Sequence, residues 1–370
     1  MEVNYGKRRP FSLGVEEEFQ LVSGESYELS SRFDEVFEAA GSDPRVKAEL
    51  MQSIVEVATH VAETVPEAVE EARGLRAQLR DAAAESGALI ASAGTHPFSR
   101  YEHQEITDAP RYQELVETMQ WVAERELIFG LHVHVGLESA QQAIAVANGL
   151  RTWLPELLAL SVNSPFWQAR DTGLASTRVK LFDAFPRSGL PPAFSSFEEF
   201  ELLVERGVKT GSFEDYTYIW WDLRPHPKLG TIEVRICDGQ TRLEHVAGLV
   251  ALIQSLAATV AERYDFEPAQ QIQPRTLVEE NKWRAARYGL DAELIDLTRD
   301  AVRPAREAAM ELVELALPAA RRLGCEAELD EIEHLCARGS GAEEQRRVYE
   351  EQGSLLAVAQ WLARQTVAGL

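Results

Sequence analysis

The chain has 370 residues, 45% of them hydrophobic, which is ample for a packed core in one large domain or two ordinary ones. Its 60 acidic residues against 37 basic ones leave a formal charge of -23, a field that repels polyanions and so argues against nucleic acid or an anionic membrane as partner, while favouring metal cations. The three cysteines, at 237, 325 and 336, lack CxxC spacing or a neighbouring histidine cluster, the N-terminus MEVNYGKRRPFSLG leads into no apolar run, and no stretch reaches the roughly 18 apolar residues of a membrane span, so a cytoplasmic location is expected.

In chain order, strands are expected at SLGVEEEFQLV (12–22) and VKAELMQSIVEVATHV (46–61), then a helix from Pro66 that ends before Gly87. ALIASAG (88–94) reads as a strand, a helix runs from Pro110 to about Phe129, and FGLHVHVGL (129–137) is again a strand. Helices near Ser139, Ser196 and Thr241 enclose a long, aperiodic segment, Ser161 to Phe194, of the kind that is usually functional. YTYIWWDL (216–223) and GTIEVRIC (230–237) complete the strands. From about Asp291 the pattern is amphipathic helix, broken at Gly324 and at the GSG of 339–341. No linker or repeat divides the chain, so residues 291–370 are expected to form a helical layer within one domain spanning 1–370.

Residues two apart on a strand share a face. In GVEEEFQL this groups Glu16, Glu18 and Gln20 against Val15, Phe19 and Leu21, and it leaves Glu17 on the apolar side in need of a cationic partner. The same alternation groups His132 with His134, and Thr231 with Glu233, Arg235 and Cys237. Each strand alone has a plain reading, as solvated histidines or a surface ion pair. Together they place glutamates, histidines and an arginine where solvated faces normally carry Thr, Ser, Lys and Gln, and carboxylate oxygens with imidazole nitrogens are ligands for divalent metals. Glu49 and Glu56 are seven apart, so a bulge or bend must intervene if both serve one face. Cys237 is read as a small buried residue rather than a catalytic thiol.

The segments GVEEEFQL, ELMQSIVEVAT, GLHVHVG, SVNSPFWQARDTGLASTR, IWWDLRP, TIEVRICDGQT and ENKWRAARYGLDA, in that order, resemble the carboxylate-amine ligases of the YbdK type, glutamate-cysteine ligase family 2. The resemblance implies an α+β fold of the glutamine synthetase type: a curved, mainly antiparallel sheet with a concave active-site face and helices packed outside. It implies ATP and Mg²⁺ (or Mn²⁺), and amide formation through an acyl phosphate, with the γ-carboxylate of glutamate joined to cysteine or a related amine. Glu16 would share a metal with Glu49 and Glu56, and Glu18 another with His132 and Glu233. His134 would lie near the phosphates and Arg235 on the transferring phosphoryl group, with Glu18 and Glu56 beside it in catalysis. Arg178, Asn163 and Ser176 would hold the amino acid. Trp220 and Trp221 are pocket-wall or core residues. The alternative is a family member that keeps ATP and metal binding without turnover and acts as a binding or regulatory protein. Small-molecule substrates are the expected partners, and exposed strand edges with the helical tail give surfaces for a homo-oligomer.

Overall fold

The computed structural model describes residues 1–266 and 272–370. Its strands are β1 (Leu13–Ser23), β2 (Val46–Ala48), β3 (Ile54–Ala58), β4 (Ala88–Ala91), β5 (Gly130–Gly136), β6 (Phe166–Trp167), β7 (Arg170–Asp171), β8 (Ser188–Gly189), β9 (Trp220–Trp221), β10 (Leu223–His226), β11 (Thr231–Asp238), β12 (Glu293–Asp296) and β13 (Ala301–Pro304). One sheet runs β10-β11-β5-β1-β3-β2, with β4 also paired to β1, and every pairing in it is antiparallel. The mainly antiparallel sheet with helices against it is the expected architecture.

One face of this sheet is apolar, and its alternation fixes the register, because a slip of one residue would turn that whole set toward the other face. Leu131, Val133 and Val135 of β5 and Ile232 and Val234 of β11 pack in one cluster with Val246, Leu249, Val250, Ile253 and Leu256 of the helix Leu243–Phe266. Phe19, Leu21, Val55, Val57 and Ile90 form a second cluster with Leu75 and Leu79 of the helix Val65–Glu85. That helix begins where the sequence says it should: Thr64 accepts from the Glu67 amide, and Glu67 reaches back in a capping box.

Several elements differ from the sequence reading. The run 46–61 is a hairpin, with Lys47 opposite Glu56, so the bend expected between Glu49 and Glu56 is the turn joining β2 to β3. The helix from Pro110 stops at Met119, where Gln120 takes a positive φ of 51°. YTYIWWDL opens with a short 3-10 turn, Tyr216–Tyr218, before β9. The tail is not helix throughout, since β12 and β13 form a ribbon before the helices begin at Ala305. A register shift between Val234 and Cys237 reverses the alternation at the end of β11, and Cys237 joins the apolar core instead of the face that carries Arg235. Burial pushes its thiol up to about 12, which leaves it inert. The helix segment Leu243–Tyr264 is long and apolar enough to cross a membrane, contrary to the sequence expectation, but 89% of that apolar window is buried inside the protein.

Glu17 finds its cation. Arg76, from the helix Val65–Glu85, donates from Nε and Nη2 to the two carboxylate oxygens of Glu17 at 3.2 and 2.5 Å. Its remaining N–H groups go to the carbonyls of Gln240, Thr241 and Thr366. With Arg76 1% and Glu17 2% exposed, neither charge has water to fall back on. Glu17→Gln is expected to cost about 3–5 kcal/mol by stranding the buried guanidinium, read as a lower denaturation midpoint, and Glu17→Leu with Arg76→Met to recover part of it. A loss of under about 1 kcal/mol would match a surface pair instead.

His96, just after β4, is fully buried: Nδ1 accepts from the Ser99 amide at 2.9 Å and Nε2 faces the Tyr27 carbonyl at 2.9 Å. Burial depresses its pKa to about 3, against the smaller opposing pull of the Tyr27 carbonyl. The unfolded chain therefore takes up a proton below about pH 6.5 that the folded one refuses, and stability present above that pH is lost as pH falls, by up to about 1.4 kcal/mol per unit. His96→Asn, which keeps a side-chain acceptor, is expected to flatten the pH dependence of the denaturation midpoint between pH 6.5 and 5 relative to the parent.

Candidate active site

The polar face of the sheet borders a cavity of about 390 Å³, within the size range of small-ligand sites. Glu16 and Glu18 enter it from β1, Lys47 from β2, Glu56 from β3, His132 and His134 from β5, Arg224 from β10, and Glu233 and Arg235 from β11, with Glu49 from the β2–β3 turn. Ile54, Ile128, Phe182, Phe185 and Trp220 supply apolar wall. Trp221 turns away into a core with Phe194 and Phe200, so the two tryptophans divide between the two readings.

Register across the strands decides which groups meet. Glu16 stands opposite His132, Glu233 opposite His134, and Glu18 opposite Glu56. In each of three groups the donor atoms lie within 4.8 Å of one another: Glu18 with Glu49 and Glu56, Glu16 with His134 and Glu233, and Glu16 with Glu56 and His132. These groups differ from the sets that the family resemblance implied, Glu16 with Glu49 and Glu56, and Glu18 with His132 and Glu233. The antiparallel register brings Glu18 level with Glu56, and His134 level with Glu233. His132 still touches both acids of β1, with Nδ1 3.4 Å from Glu16 and Nε2 4.0 Å from Glu18.

The two ends of the cavity differ in charge balance. Glu233 accepts from Arg224 Nε and Nη2 at 2.9 and 2.8 Å and from Arg235. Burial alone would raise its pKa, yet Arg224, Arg235 and His134 hold it well below the usual carboxylate range. Glu16 is held down in the same way, against burial, by His132 and His134. At the other end acids outnumber cations. Burial and the charges of Glu56, Glu18 and Glu126 push Glu49 well above its ordinary value. Burial and then Glu16 push Glu56 up to about 7, although Lys47 Nζ lies 2.8 Å away. Burial and Glu18 push Glu126 up to about 8.

A model of the glutamate-cysteine ligase family 2 (GCS2) matches residues 12–360. The chain belongs to that family. Among its relatives, a Rubrobacter xylanophilus protein provisionally named glutamate-cysteine ligase 2-3 is 47% identical over 369 residues, covering 99% of this chain and 100% of that one. A Herpetosiphon aurantiacus protein provisionally named glutamate-cysteine ligase 2 is 41% identical over 363 residues, 98% of this chain and 94% of its own. The solved glutamate-cysteine ligase of Francisella tularensis in complex with AMP superposes with a TM-score of 0.71 over 98% of this chain and 90% of that one, at 13% identity, which shows a shared fold. The family places the chain among ATP-dependent carboxylate-amine ligases.

In this ligase Asn163 and Ser176 do not reach the cavity. Asn163 Nδ2 donates to the Gly239 carbonyl at 2.7 Å and to Thr241 Oγ1 at 3.0 Å, and Ser176 Oγ donates to Asp238 Oδ1 at 2.9 Å. Both side chains fasten their loop to the end of β11. Arg178 does line the cavity. Strand parity missed Lys47, Arg224 and Glu126. Arg224 was readable from its alternation with Leu223, whereas Glu126 lies in a run, ERELIF, with no period-2 signal.

The acid-rich end of the ligase's cavity fits a divalent cation. Glu18, Glu49 and Glu56 offer hard oxygen donors in negative excess. The buried Nε2 atoms of His132 and His134 have no hydrogen-bond partner among the described residues, so nitrogen donors stand ready next to them. Glu56→Gln is expected to raise the stability of metal-free protein at pH 8 by on the order of 1–3 kcal/mol, because ionising a group with a raised pKa costs stability above its ordinary value. The same variant should lose most of the stabilisation that millimolar Mg²⁺ gives the parent, about 2.7 kcal/mol at a hundredfold excess over Kd. A thermal melt with and without the metal checks both signs.

Proposed function

We propose that the protein joins the γ-carboxylate of glutamate to the amino group of cysteine at the expense of ATP. The observation that carries this is a single cavity with excess carboxylates at one end and paired guanidinium groups at the other, in a chain of this family. A carboxylate oxygen attacks the γ-phosphorus, the bond to the ADP oxygen breaks, and the amine then displaces phosphate from the acyl phosphate. Two anions must approach, so the barrier is chiefly electrostatic. Mg²⁺ or Mn²⁺, held by Glu18, Glu49 and Glu56 at one end and by Glu16, His132, His134 and Glu233 at the other, would neutralise phosphate charge and fix the in-line arrangement.

The chain's own groups do the rest. Arg235 is anchored through Glu233 at one nitrogen, while its buried Nε has no acceptor among the described residues. A guanidinium fixed in this way meets charge on the phosphoryl oxygens without reorganising. Its amide donates to the Asp222 carbonyl at 2.8 Å, and Asp222 is bound by Lys282 at 2.8 Å, so the strand that carries it is braced from behind. His134 donates or accepts at Thr231 Oγ1, 3.0 Å from Nδ1, which orients Nε2 toward Glu16 and Glu233.

Incubation with ATP, Mg²⁺, glutamate and cysteine should yield ADP and γ-glutamylcysteine in equal amounts by mass spectrometry. ADP without amide across a panel of amino-acid amines would mean kinase or hydrolase chemistry, and no ADP with any pair would sink the proposal. Arg235→Met is expected to lower kcat by roughly 100- to 1000-fold with a smaller change in KM.

A further inference from the structure

Besides Glu49 of the β2–β3 turn and Arg111 of the helix Pro110–Met119, two charged groups of opposite sign line the cavity from outside the strands, Arg178 and Glu126. Arg178 opens the short helix Arg178–Phe182 and is 4% exposed. Its Nη1 and Nη2 reach the carbonyls of Ile236 and Arg235 at 3.3 Å each, which is long, and its buried Nε has no hydrogen-bond partner among the described residues. The guanidinium lies directly on Gly130, where any Cβ would collide with Nη2. Four residues upstream of Gly130, and joined to it through the cavity-lining Ile128, is Glu126. Among the described residues its carboxylate has no hydrogen bond and no ion pair, and it belongs to none of the three donor groups of the sheet. It shares the cavity lining with Arg178 and Arg235, whose charges pull its pKa down against the larger effect of burial.

A buried cation with a free donor and a carboxylate with no partner among the described residues, both lining one cavity, together match a zwitterion. We infer that Arg178 holds the α-carboxylate and Glu126 the α-ammonium of the amino acid whose side-chain carboxylate is activated, an assignment that rests on the γ-glutamyl reading for the identity of that amino acid. The chemistry favours this amino acid over the incoming amine. A carboxylate at an amino group stabilises its protonated form, which suits an amine that must not attack and opposes one that must. Anchoring the α-carboxylate on Arg178 also withholds it from ATP and leaves the γ-carboxylate to react, so the pair would set the choice between the two carboxylates of glutamate.

Calorimetric binding of glutamate, glutarate (no ammonium) and 4-aminobutyrate (no α-carboxylate) to the Mg²⁺- and ATP-analogue-loaded protein tests this without requiring turnover. The parent should prefer glutamate to either analogue by about 10- to 100-fold, the range expected for a charge-assisted bond. Glu126→Gln should remove most of the preference over glutarate while keeping that over 4-aminobutyrate, and Arg178→Lys should do the reverse. An equal affinity of the parent for glutamate and glutarate, or a Glu126→Gln variant that folds and weakens both ligands by one factor, would overturn the inference and make Glu126 a structural acid. If binding follows the expected pattern but no γ-glutamyl product forms in the assay above, the inference stands and the catalytic reading fails.

Discussion

A β-strand that aims two carboxylates at a cavity must, by alternation, put the residue between them on the opposite face. In β1 that residue is also a glutamate, and its burial is tolerable only because Arg76 brings a full set of donors to it. The guanidinium ties β1 to the Gln240–Thr241 turn that follows β11 and to Thr366 near the end of the last helix. One buried cation thus sets the central strand, the strand that carries Glu233 and Arg235, and the C-terminal helices in relation to one another.

On the other face the same strands build a gradient of charge. Glu16 and Glu233 are matched by imidazoles and guanidiniums, while Glu49, Glu56 and Glu126 are held above their ordinary pKa by burial and neighbouring acids, which Lys47, Arg178 and Arg235 do not outweigh. Such a site is unfavourable in the protein by itself and becomes favourable with a cation and a polyanion bound, which is the condition that the proposed reaction needs. Rigid strands hold these groups more closely than loops would. The long segment after Ser161, by contrast, is fastened through Asn163, Ser164 and Ser176 to the buried Asp238, and from it Arg178, Phe182 and Phe185 extend to the cavity wall.

Period-2 alternation is a property of single strands, and what it governs was legible. The polar and apolar faces of β1, β5 and β11 follow from it, as does the need of Glu17 for a cation. Pairing between strands is not written in any one strand, so the grouping of Glu16 with His134 and Glu233, and of Glu18 with Glu49 and Glu56, emerged only with the register. A bulge has no sequence mark here, which is why Cys237 was assigned to the wrong face. Polar loop residues look alike whether they bind substrate or one another, and Asn163 and Ser176 turned inward to Asp238 and its neighbours. Glu126 and Lys47 gave no signal, because one lies in an irregular turn and the other looks like an ordinary surface lysine. Hydrophobic content alone did not separate a core helix from a spanning one for Leu243–Tyr264 either. Only its packing does so.

The central claim, that a carboxylate is activated by phosphorylation at this cavity, is tested most directly by following its oxygen. With glutamate labelled with oxygen-18 in the γ-carboxylate, turnover through an acyl phosphate carries one labelled oxygen into each inorganic phosphate released. Labelled phosphate formed in step with amide is the predicted result. Unlabelled phosphate, with amide still produced, would contradict the account.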